Sequence, residues 1–195
     1  MRCIIEKMDK EKILIEQAKK KDEQAFKKLI EPYIQKLLNT GYYILKNRED
    51  AWDILQDTLL LLWKNMKKID PSYPFYPYLR KMYINQCFKH LKKTKDKNEL
   101  SFDYEYEEDT TLQIEDVVFS PEELLQKKEL KEKIKEIMDK MPPHYSSTLW
   151  LRIGENMSYK EISEVLGVNI GTVKSRINMA RRLLSEELLS YLGGE

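Results

Sequence analysis

The sequence has few residues that break helices or cross-link chains. Its 195 residues include only six glycines, seven prolines and two cysteines, while hydrophobic residues make up 42%, which argues against a fully disordered chain. Few breakers together with many Lys, Glu and Leu favour helices over a β-sandwich or barrel. Cys3 and Cys87 lie far apart in the sequence. This excludes a cysteine-based zinc cage and a disulfide scaffold and fits a reducing cytosol.

Long hydrophobic runs are also missing. The longest, Leu59–Trp63, is far too short to span a membrane. The N-terminus carries Glu6, Lys7 and Asp9 where a signal peptide needs an apolar stretch. We therefore expect a cytoplasmic protein that does not itself span a membrane.

Recognisable catalytic constellations are absent from the sequence as well. It has no glycine-rich phosphate loop, no His/Cys cluster with metal-ligand spacing and no nucleophile–base set. The two histidines, His90 and His144, stand alone beside Lys or Pro and are interpreted as ordinary surface residues. We expect no enzyme, no catalytic residue, no metal and no cofactor.

The charges are unevenly distributed along the chain, although the net charge is only +1. Two segments have almost no acidic residues, and one has no Lys or Arg. Residues 80–97 hold seven basic residues and one acid, residues 99–123 hold ten acids and no Lys or Arg, and residues 165–185 hold four basic residues and no acid. Two separate basic blocks indicate two polyanion-binding surfaces. Solvated helix faces would give the same runs, so charge alone leaves both interpretations open.

The periodicity of apolar residues predicts three helices in the first half. The first runs from about Asp22 to Leu45; Pro32 and Gly41 interrupt it, so it is either one bent helix or two. The second runs from about Glu49 to Met66, and its apolar stripe contains Trp52, Leu55, Leu59, Leu62 and Met66. An extended proline-rich loop, IDPSYPFYP, precedes a third helix from about Tyr78 to Lys93.

The second half is predicted to start after an acidic linker over residues 96–120. Ser120-Pro121 has the signature of a helix start, and that helix should reach about Met141, where Pro142-Pro143 ends it. Three further helices follow, at about 144–153, 159–166 and 170–192. The predicted fold class is all-α, with two small helical domains, 1–95 and 121–195, joined by the flexible linker.

The last two helices form a predicted helix-turn-helix. Ser158 and Glu161 fit a capping box, Gly167 can end the helix in a left-handed conformation, and Asn169 can cap the next one. The second helix turns Val173, Ile177, Ala180 and Leu184 inward. Its outward face carries hydrogen-bonding and cationic groups without a carboxylate, which suits a DNA major groove better than an ordinary solvent face: Thr172, Lys174, Ser175, Arg176, Met179 and Arg182.

Two features of the first domain also suggest binding. Asp53, Gln56, Asp57 and Leu60 share one face of the second helix, where an exposed leucine among acids indicates a partner helix with basic and apolar groups, or is a stray surface leucine. Aromatics and cations alternate around the proline-rich loop, as suits unpaired bases and phosphates. Of these rings we expect Tyr73 and Tyr76 to be exposed, and Phe75, Tyr78 and Leu79 to lie in the core.

At this point the chain resembles a known family, the extracytoplasmic-function (ECF) sigma factors of the sigma-70 family. The match covers about Asp22–Lys93 and Glu123–Leu192. NREDAWDILQDTLLLLWK resembles the polymerase-binding helix, and PFYPYLRKMYINQCFKHLKK resembles the segment that melts and reads the minus-10 element. MPPHYSSTLWLRIGENMSYKEISEVLGVNIGTVKSRINMARRLL resembles the minus-35-reading region, with GTVKSR its most specific string.

The resemblance implies roles for individual residues. Asp53, Gln56 and Asp57, with Leu60 beside them, would bind the clamp helices of the largest subunit of core RNA polymerase. The C-terminal domain would contact the polymerase flap, and an anti-sigma protein is a possible further partner. The implied minus-10 and single-strand contacts are Tyr73, Tyr76, Arg80, Lys81 and Asn85. The implied minus-35 contacts are Lys160, Thr172, Lys174, Ser175, Arg176, Met179 and Arg182.

The chain departs from the family pattern at a few positions. Tyr78 stands where Trp is usual, Ile84 where Arg is common, Lys89 where Asp is common, and Pro77 where a helix start is usual. These departures bear on the minus-10 preference more than on the role. The alternative is a stand-alone helix-turn-helix regulator, which would use only the C-terminal domain, usually as a dimer. Dependence on core polymerase separates the two hypotheses.

Overall fold

The computed structural model describes residues 2–95 and 121–192, with side chains over 10–94 and 129–191. Over these residues it contains α-helices and one 3-10 turn and no strand, which confirms the predicted all-α class. The acidic linker predicted over 96–120 lies outside the described residues. The helices are α1 (Arg2–Lys19), α2 (Glu23–Leu45), α3 (Arg48–Asn65), α4 (Phe75–Lys95), α5 (Pro121–Lys140), α6 (Pro143–Ile153), α7 (Tyr159–Leu166) and α8 (Ile170–Leu192), with the 3-10 turn at Met66–Lys68.

The chain divides into two compact units, Met1–Glu99 and Leu100–Glu195. In the first unit α2 is the central helix, because it packs against α1, α3 and α4. Local capping fixes where the helices begin: the Asp22 carboxylate accepts the Ala25 N–H at 3.0 Å, and Asn47 accepts the Glu49 N–H at 2.8 Å. The largest fully buried side chains of this unit include Ile15, Leu29, Leu37, Ile44, Leu55, Leu62, Met66, Phe75, Leu79, Tyr83 and Ile84.

The first unit contains one helix that was not predicted, and it shows which of the two alternatives for residues 22–45 is correct. Helix α1 was not predicted, although Ile15 and Ala18 bury its inner face against the unit. Helix α2 is one helix that contains Pro32, so neither Pro32 nor Gly41 divides it. Packing against three other helices holds α2 together across positions that would break an isolated helix.

Gly41 allows α2 to approach α4 closely. A Cβ atom added at Gly41 would lie 1.9 Å from the Tyr83 hydroxyl oxygen and 2.8 Å from its Cζ. The Tyr83 ring is fully buried, and its hydroxyl donates a hydrogen bond to the Ala51 carbonyl at 2.8 Å. The bond joins α4 to α3, so one missing methyl group at Gly41 makes room for the contact that ties these helices together.

The structure corrects two burial predictions. The predicted apolar stripe of α3 includes Trp52, but 45% of its surface is exposed; Leu55 and Leu62 are buried as predicted, together with Ala51 and Thr58. Tyr78 was placed in the core and is also 45% exposed, whereas Phe75 and Leu79 are buried as predicted. Helix α4 begins at Phe75, three residues earlier than predicted, and Tyr78 lies on its exposed face with Lys81 and Asn85. Pro77 therefore lies in the first helical turn, where its missing N–H leaves no intrahelical bond unmade.

Cys87 lies on the buried side of α4 and is fully enclosed. Burial raises the pKa of its thiol to about 12. At neutral pH the thiol is therefore protonated, and it behaves as a small apolar side chain rather than as a nucleophile.

In the second unit α8 packs against α5, α6 and α7. The bounds of α7 and α8 agree with the predicted ones. The capping box is present: the Ser158 hydroxyl accepts the Glu161 N–H at 3.2 Å, and the Glu161 carboxylate accepts the Ser158 N–H at 2.8 Å. Gly167 ends α7 at φ +67°, and the Asn169 side chain accepts the Thr172 N–H at 2.6 Å. The helix-turn-helix prediction is therefore confirmed at each local signal.

Replacing Ser158 with alanine is expected to lower the free energy of unfolding of the second unit by about 1 kcal/mol, because the replacement removes the cap from the first helix of the motif. Urea denaturation followed by circular dichroism measures the change. Glu161→Gln is the matched control, since glutamine also completes a capping box and should change stability less. Equal losses in both variants would contradict the assigned role of the serine hydroxyl.

Candidate functional surfaces

The four residues predicted to bind polymerase lie together on the exposed side of α3. Asp53, Gln56, Asp57 and Leu60 all have exposed side chains, and 58% of the Leu60 surface is accessible. Spacings of three, four and seven residues bring them onto one helical face. A large apolar side chain therefore stands in solvent beside two carboxylates.

Leu60 borders an apolar groove between α2 and α3, which we call the α2/α3 groove. It has a volume of about 430 Å³ and is lined by Glu23, Phe26, Ile30, Gln56, Leu59, Leu60 and Trp63. The Phe26 and Trp63 rings meet with their centroids 4.9 Å apart, and the Lys21 ammonium lies 4.7 Å above the Trp63 ring. Sequence reasoning found only Gln56 and Leu60, since the groove requires the pairing of two helices.

The loop before α4 presents one free aromatic ring. Tyr73 is 72% exposed, as predicted. Asp70 shapes the loop by accepting the Ser72 N–H at 2.9 Å, and the hydrogen bonds from Ser72 lower the pKa of the Asp70 carboxyl. The turn holds the backbone while the Tyr73 ring projects into solvent, where it can stack on an unpaired base.

Tyr76 differs from the prediction of an exposed ring, because it is half-buried. Its ring stacks on Tyr33 of α2, with centroids 4.8 Å apart and planes inclined by 28°. The Lys36 ammonium lies 4.8 Å from the centre of the Tyr76 ring, and the Arg80 guanidinium carbon lies 5.8 Å from it. The Tyr33 hydroxyl in turn donates to Glu11 of α1. We call Tyr33, Lys36, Tyr76 and Arg80 the tyrosine–cation cluster.

A basic stripe runs along the exposed face of α4, on the side of the helix opposite Tyr76 and Arg80. The predicted DNA contacts Lys81 and Asn85 are exposed, whereas Arg80, also a predicted contact, belongs to the tyrosine–cation cluster and is only 9% exposed. At 100° per residue, the exposed residues that share the face of Lys81 and Asn85 fall three or four positions apart. The stripe consists of Tyr78, Lys81, Asn85, Lys89 and Lys92.

Helix α8 carries six of the predicted DNA contacts, and Leu184, which is predicted to face inward, is half-buried. Val173, Ile177 and Ala180 are buried, which turns the candidate DNA contacts outward. Lys174 and Arg182 are exposed, and Thr172, Ser175, Arg176 and Met179 are half-buried; on α7, Lys160 is exposed. The Arg182 side chain reaches back to Met179, with Nη2 3.2 Å from the sulfur, and its Nε lies 3.6 Å from Glu186.

Arg152 supports the helix-turn-helix and was not found from the sequence. Its guanidinium donates to the Met157 carbonyl at 3.1 Å and lies 5.5 Å from the centre of the Tyr159 ring. These contacts join the end of α6 to the first turn of α7. Arg152 therefore stabilises the loop between α6 and α7, which positions the N-cap Ser158 and the first turn of α7 with Lys160.

The described residues contain no group of three or more His, Cys, Asp or Glu that could hold a metal ion. No helix in the same part of the chain is long and apolar enough to cross a membrane.

Family models match both halves of the chain. A model described as "Sigma-70 region 2" matches residues 29–97, and one described as "Sigma-70, region 4" matches residues 131–184. The first match includes α3 and α4, and the second includes the helix-turn-helix. Both sets of exposed residues therefore lie within matched regions.

Two curated sigma factors match over nearly their whole length. The chain is 28% identical to the ECF RNA polymerase sigma factor SigW of Bacillus subtilis over 176 residues, which cover 89% of this chain and 94% of SigW. It is 26% identical to the RNA polymerase sigma-H factor of Pseudomonas aeruginosa over 184 residues, covering 92% and 94%.

Solved structures share the fold. The structure of CnrH in complex with the cytosolic domain of CnrY matches with a TM-score of 0.54 at 21% identity, over 92% of this chain and 97% of that chain. The sigma factor RpoE of Bartonella quintana, in complex with the anti-sigma factor NepR, matches with a TM-score of 0.55 at 18% identity, over 84% and 96%. With two regional models in the order of the family and relatives matched almost end to end, the chain belongs to the sigma-70 family as an ECF sigma factor.

Proposed function

We propose that this sigma subunit, which directs transcription initiation, binds core RNA polymerase through the exposed face of α3 and reads promoter DNA with α4 and α8. The proposal is supported by the distribution of exposed charges: acidic side chains surround an exposed leucine on α3, whereas basic side chains lie on α4 and α8. The first suits a protein partner with basic and apolar groups, and the second suits nucleic acid.

On the polymerase side, the α2/α3 groove offers an apolar surface, and Asp53 and Asp57 on α3 add an acidic rim beside it. Asp53 and Asp57 would pair with basic residues of the clamp helices of the largest subunit, and Leu60 would be covered by apolar ones. Buried apolar anchors with a charged rim are the usual anatomy of a specific interface. The C-terminal domain, residues 121–195, would contact the flap.

On the DNA side, the C-terminal domain would bind duplex DNA and the N-terminal domain would bind single-stranded DNA. Lys160, Thr172, Lys174, Ser175, Arg176, Met179 and Arg182 would read the minus-35 duplex in its major groove. Residues 1–95 would hold the melted minus-10 strand with Tyr73, Lys81 and Asn85, while Tyr76 and Arg80, which face α2, would support that surface from beneath. The chain would carry out no chemistry itself, because binding supplies the free energy.

The location and further partners follow from this role. A subunit that works on polymerase and DNA acts in the cytoplasm. We also propose an anti-sigma protein as a partner, supported by the fold shared with RpoE, which was solved with the anti-sigma factor NepR.

Run-off transcription tests the proposal. Purified core polymerase is incubated with a genomic DNA pool, with and without this chain. Initiation at discrete sites that requires both components is the expected result, and it also yields the promoter sequence. Tight footprints from the chain alone, with transcription unchanged, would instead support a stand-alone regulator.

Replacing Arg176 with alanine is expected to weaken promoter binding by about 1–3 kcal/mol at one minus-35 position, because arginine makes bidentate contacts with a guanine edge. The variant and the wild type are compared on a set of single-base minus-35 substitutions. The loss should disappear on the promoter already altered at the contacted base. A uniform loss on every sequence would identify a phosphate contact instead.

A further inference from the structure

The exposed surface of α8 is centred on a residue that is not among the predicted DNA contacts. Over residues 172–182, the span of those contacts on α8, the exposed side chains are Lys174, Asn178 and Arg182, and the others are half-buried or buried. Residues at intervals of four lie one above the other on the same side of a helix. We call these three residues the exposed ridge of α8. Asn178 is its middle member, with a cation one turn away on either side.

The fold of the second unit does not use the Asn178 side chain. It makes no hydrogen bond or ion pair with any residue in the described part of the chain. Other asparagines have local roles, since Asn47 and Asn169 accept backbone N–H groups at the starts of α3 and α8. In a helix interior asparagine is a poorer helix former than alanine, because its amide competes for backbone hydrogen bonds. A residue that the helix disfavours and the fold does not use points to a ligand.

The primary amide of Asn178 matches one base edge of the DNA major groove. Adenine presents the N7 acceptor beside the N6 amino donor, and asparagine can pair with both atoms at once. The amide N–H of Asn178 would donate to N7, and its carbonyl oxygen would accept from N6. Guanine presents two acceptors at the same place, so the carbonyl oxygen would find no donor there. The side chain is therefore suited to adenine rather than to guanine.

The two cations of the exposed ridge favour an approach of DNA along it. With a rise of 1.5 Å per residue, Lys174 and Arg182 each lie about 6 Å from Asn178 along the helix axis. At this spacing they can contact phosphates or base edges on either side of the base pair that meets the amide. The ridge contains no carboxylate, and the nearest acid on α8 is Glu186, which lies 3.6 Å from the Arg182 Nε.

We propose that Asn178 reads an adenine of the minus-35 duplex in the major groove, with Lys174 and Arg182 holding the DNA on either side. The ligand is an A·T base pair whose adenine N6 and N7 atoms face the helix. This inference rests on the proposed function. It adds a specificity-determining residue to α8, because none of the predicted contacts on that helix carries an amide.

A panel of promoters tests the proposal. The complex of this chain with core polymerase is titrated with the promoter found by run-off transcription and with variants that each change one minus-35 base pair. Asn178→Ala should weaken binding to the unaltered promoter by about 5–150-fold, the range for the loss of one bidentate base contact. On the promoter that lacks the contacted adenine, Asn178→Ala should cause no further loss.

Promoters that contain 7-deazaadenine identify the atom that is contacted. This analogue has a C–H group in place of N7, so it keeps its pairing with thymine but cannot accept a hydrogen bond from the amide. At the contacted position it should weaken binding of the wild type and leave binding of Asn178→Ala unchanged. A panel in which no adenine behaves in this way would overturn the proposal. An equal loss for Asn178→Ala on every sequence would also overturn it, since that result indicates a phosphate contact.

Ser185→Ala is the matched control. Ser185 is exposed on α8, two turns after Asn178 on the same side of the helix and beyond the span of the predicted contacts. Its replacement should leave the base preference unchanged. Thermal unfolding followed by circular dichroism separates binding from folding, because Asn178→Ala should melt no lower than the wild type. A fall in melting temperature that accompanies the loss of binding would assign Asn178 to the fold and overturn the proposal.

The same experiments distinguish this inference from the proposed function. If the complex binds discrete promoters and Asn178→Ala keeps the wild-type affinity and base preference, the inference is overturned and the proposed function stands. If the wild-type chain adds no promoter binding to core polymerase, both are overturned.

Discussion

Replacing Asp57 with lysine is expected to abolish binding of the chain to core polymerase while leaving its fold unchanged. Asp57 is exposed on α3, one turn after Asp53 and on the same face as Leu60. A lysine there would face the basic groups expected on the clamp helices, and like charges brought together at an interface cost several kcal/mol. We expect a loss of about 3 kcal/mol or more, which is over a hundredfold in Kd.

Glu31→Lys supplies the control for the change in net charge. Glu31 is exposed on α2 and does not line the α2/α3 groove. Co-purification and fluorescence titration with core polymerase should show near wild-type binding for Glu31→Lys and none for Asp57→Lys. If Asp57→Lys still co-purifies with core enzyme, the assignment of the α3 face to polymerase is wrong.

Replacing Gly41 with alanine is expected to destabilise the first unit strongly. The added methyl group would meet the Tyr83 hydroxyl at 1.9 Å, so Tyr83 must move and its hydrogen bond to the Ala51 carbonyl must break. Overpacking and a buried Tyr83 hydroxyl that loses its carbonyl acceptor together should cost about 3 kcal/mol. In a unit of this size that corresponds to a fall in Tm of about 10–20 °C by calorimetry.

The double variant Gly41→Ala with Tyr83→Phe separates the clash from other effects. Removal of the hydroxyl takes away the closest contact, although the ring carbon at 2.8 Å remains. Stability should therefore recover in part, and the two changes should be strongly non-additive. At an unobstructed helical site, Gly→Ala would instead stabilise by about 0.5–1 kcal/mol. A Gly41→Ala variant with unchanged or higher stability would show that the packing of Tyr83 does not require the absence of a side chain at position 41.

The sequence specifies the helix-turn-helix locally, which is why its bounds could be predicted. Ser158, Glu161, Gly167 and Asn169 each act within four residues of their own position, through caps and one left-handed turn. No distant part of the chain is needed to recognise such signals. The outward face of α8 followed from them by helical periodicity alone.

The first unit could be predicted less well, because its decisive contacts join distant residues. The exposure of Trp52 depends on which side of α3 meets α2, and the exposure of Tyr78 depends on which side of α4 meets α2 and α3. The tyrosine–cation cluster unites α2 and α4, which lie more than forty residues apart at Tyr33 and Tyr76. Periodicity predicts that a face exists, but it does not predict the partner of that face.

The division of the α3 surface into an acidic rim and an apolar groove has a kinetic consequence. On the proposed function, the exposed carboxylates would act at a distance and speed the encounter with a basic partner, an effect that salt screens. The α2/α3 groove, which Phe26 and Trp63 help to line, would act only after contact, so it would govern how long the complex lasts. Where several sigma factors compete for one polymerase, ionic strength would change how fast this one is captured, while the fit of the groove would decide how slowly it is replaced.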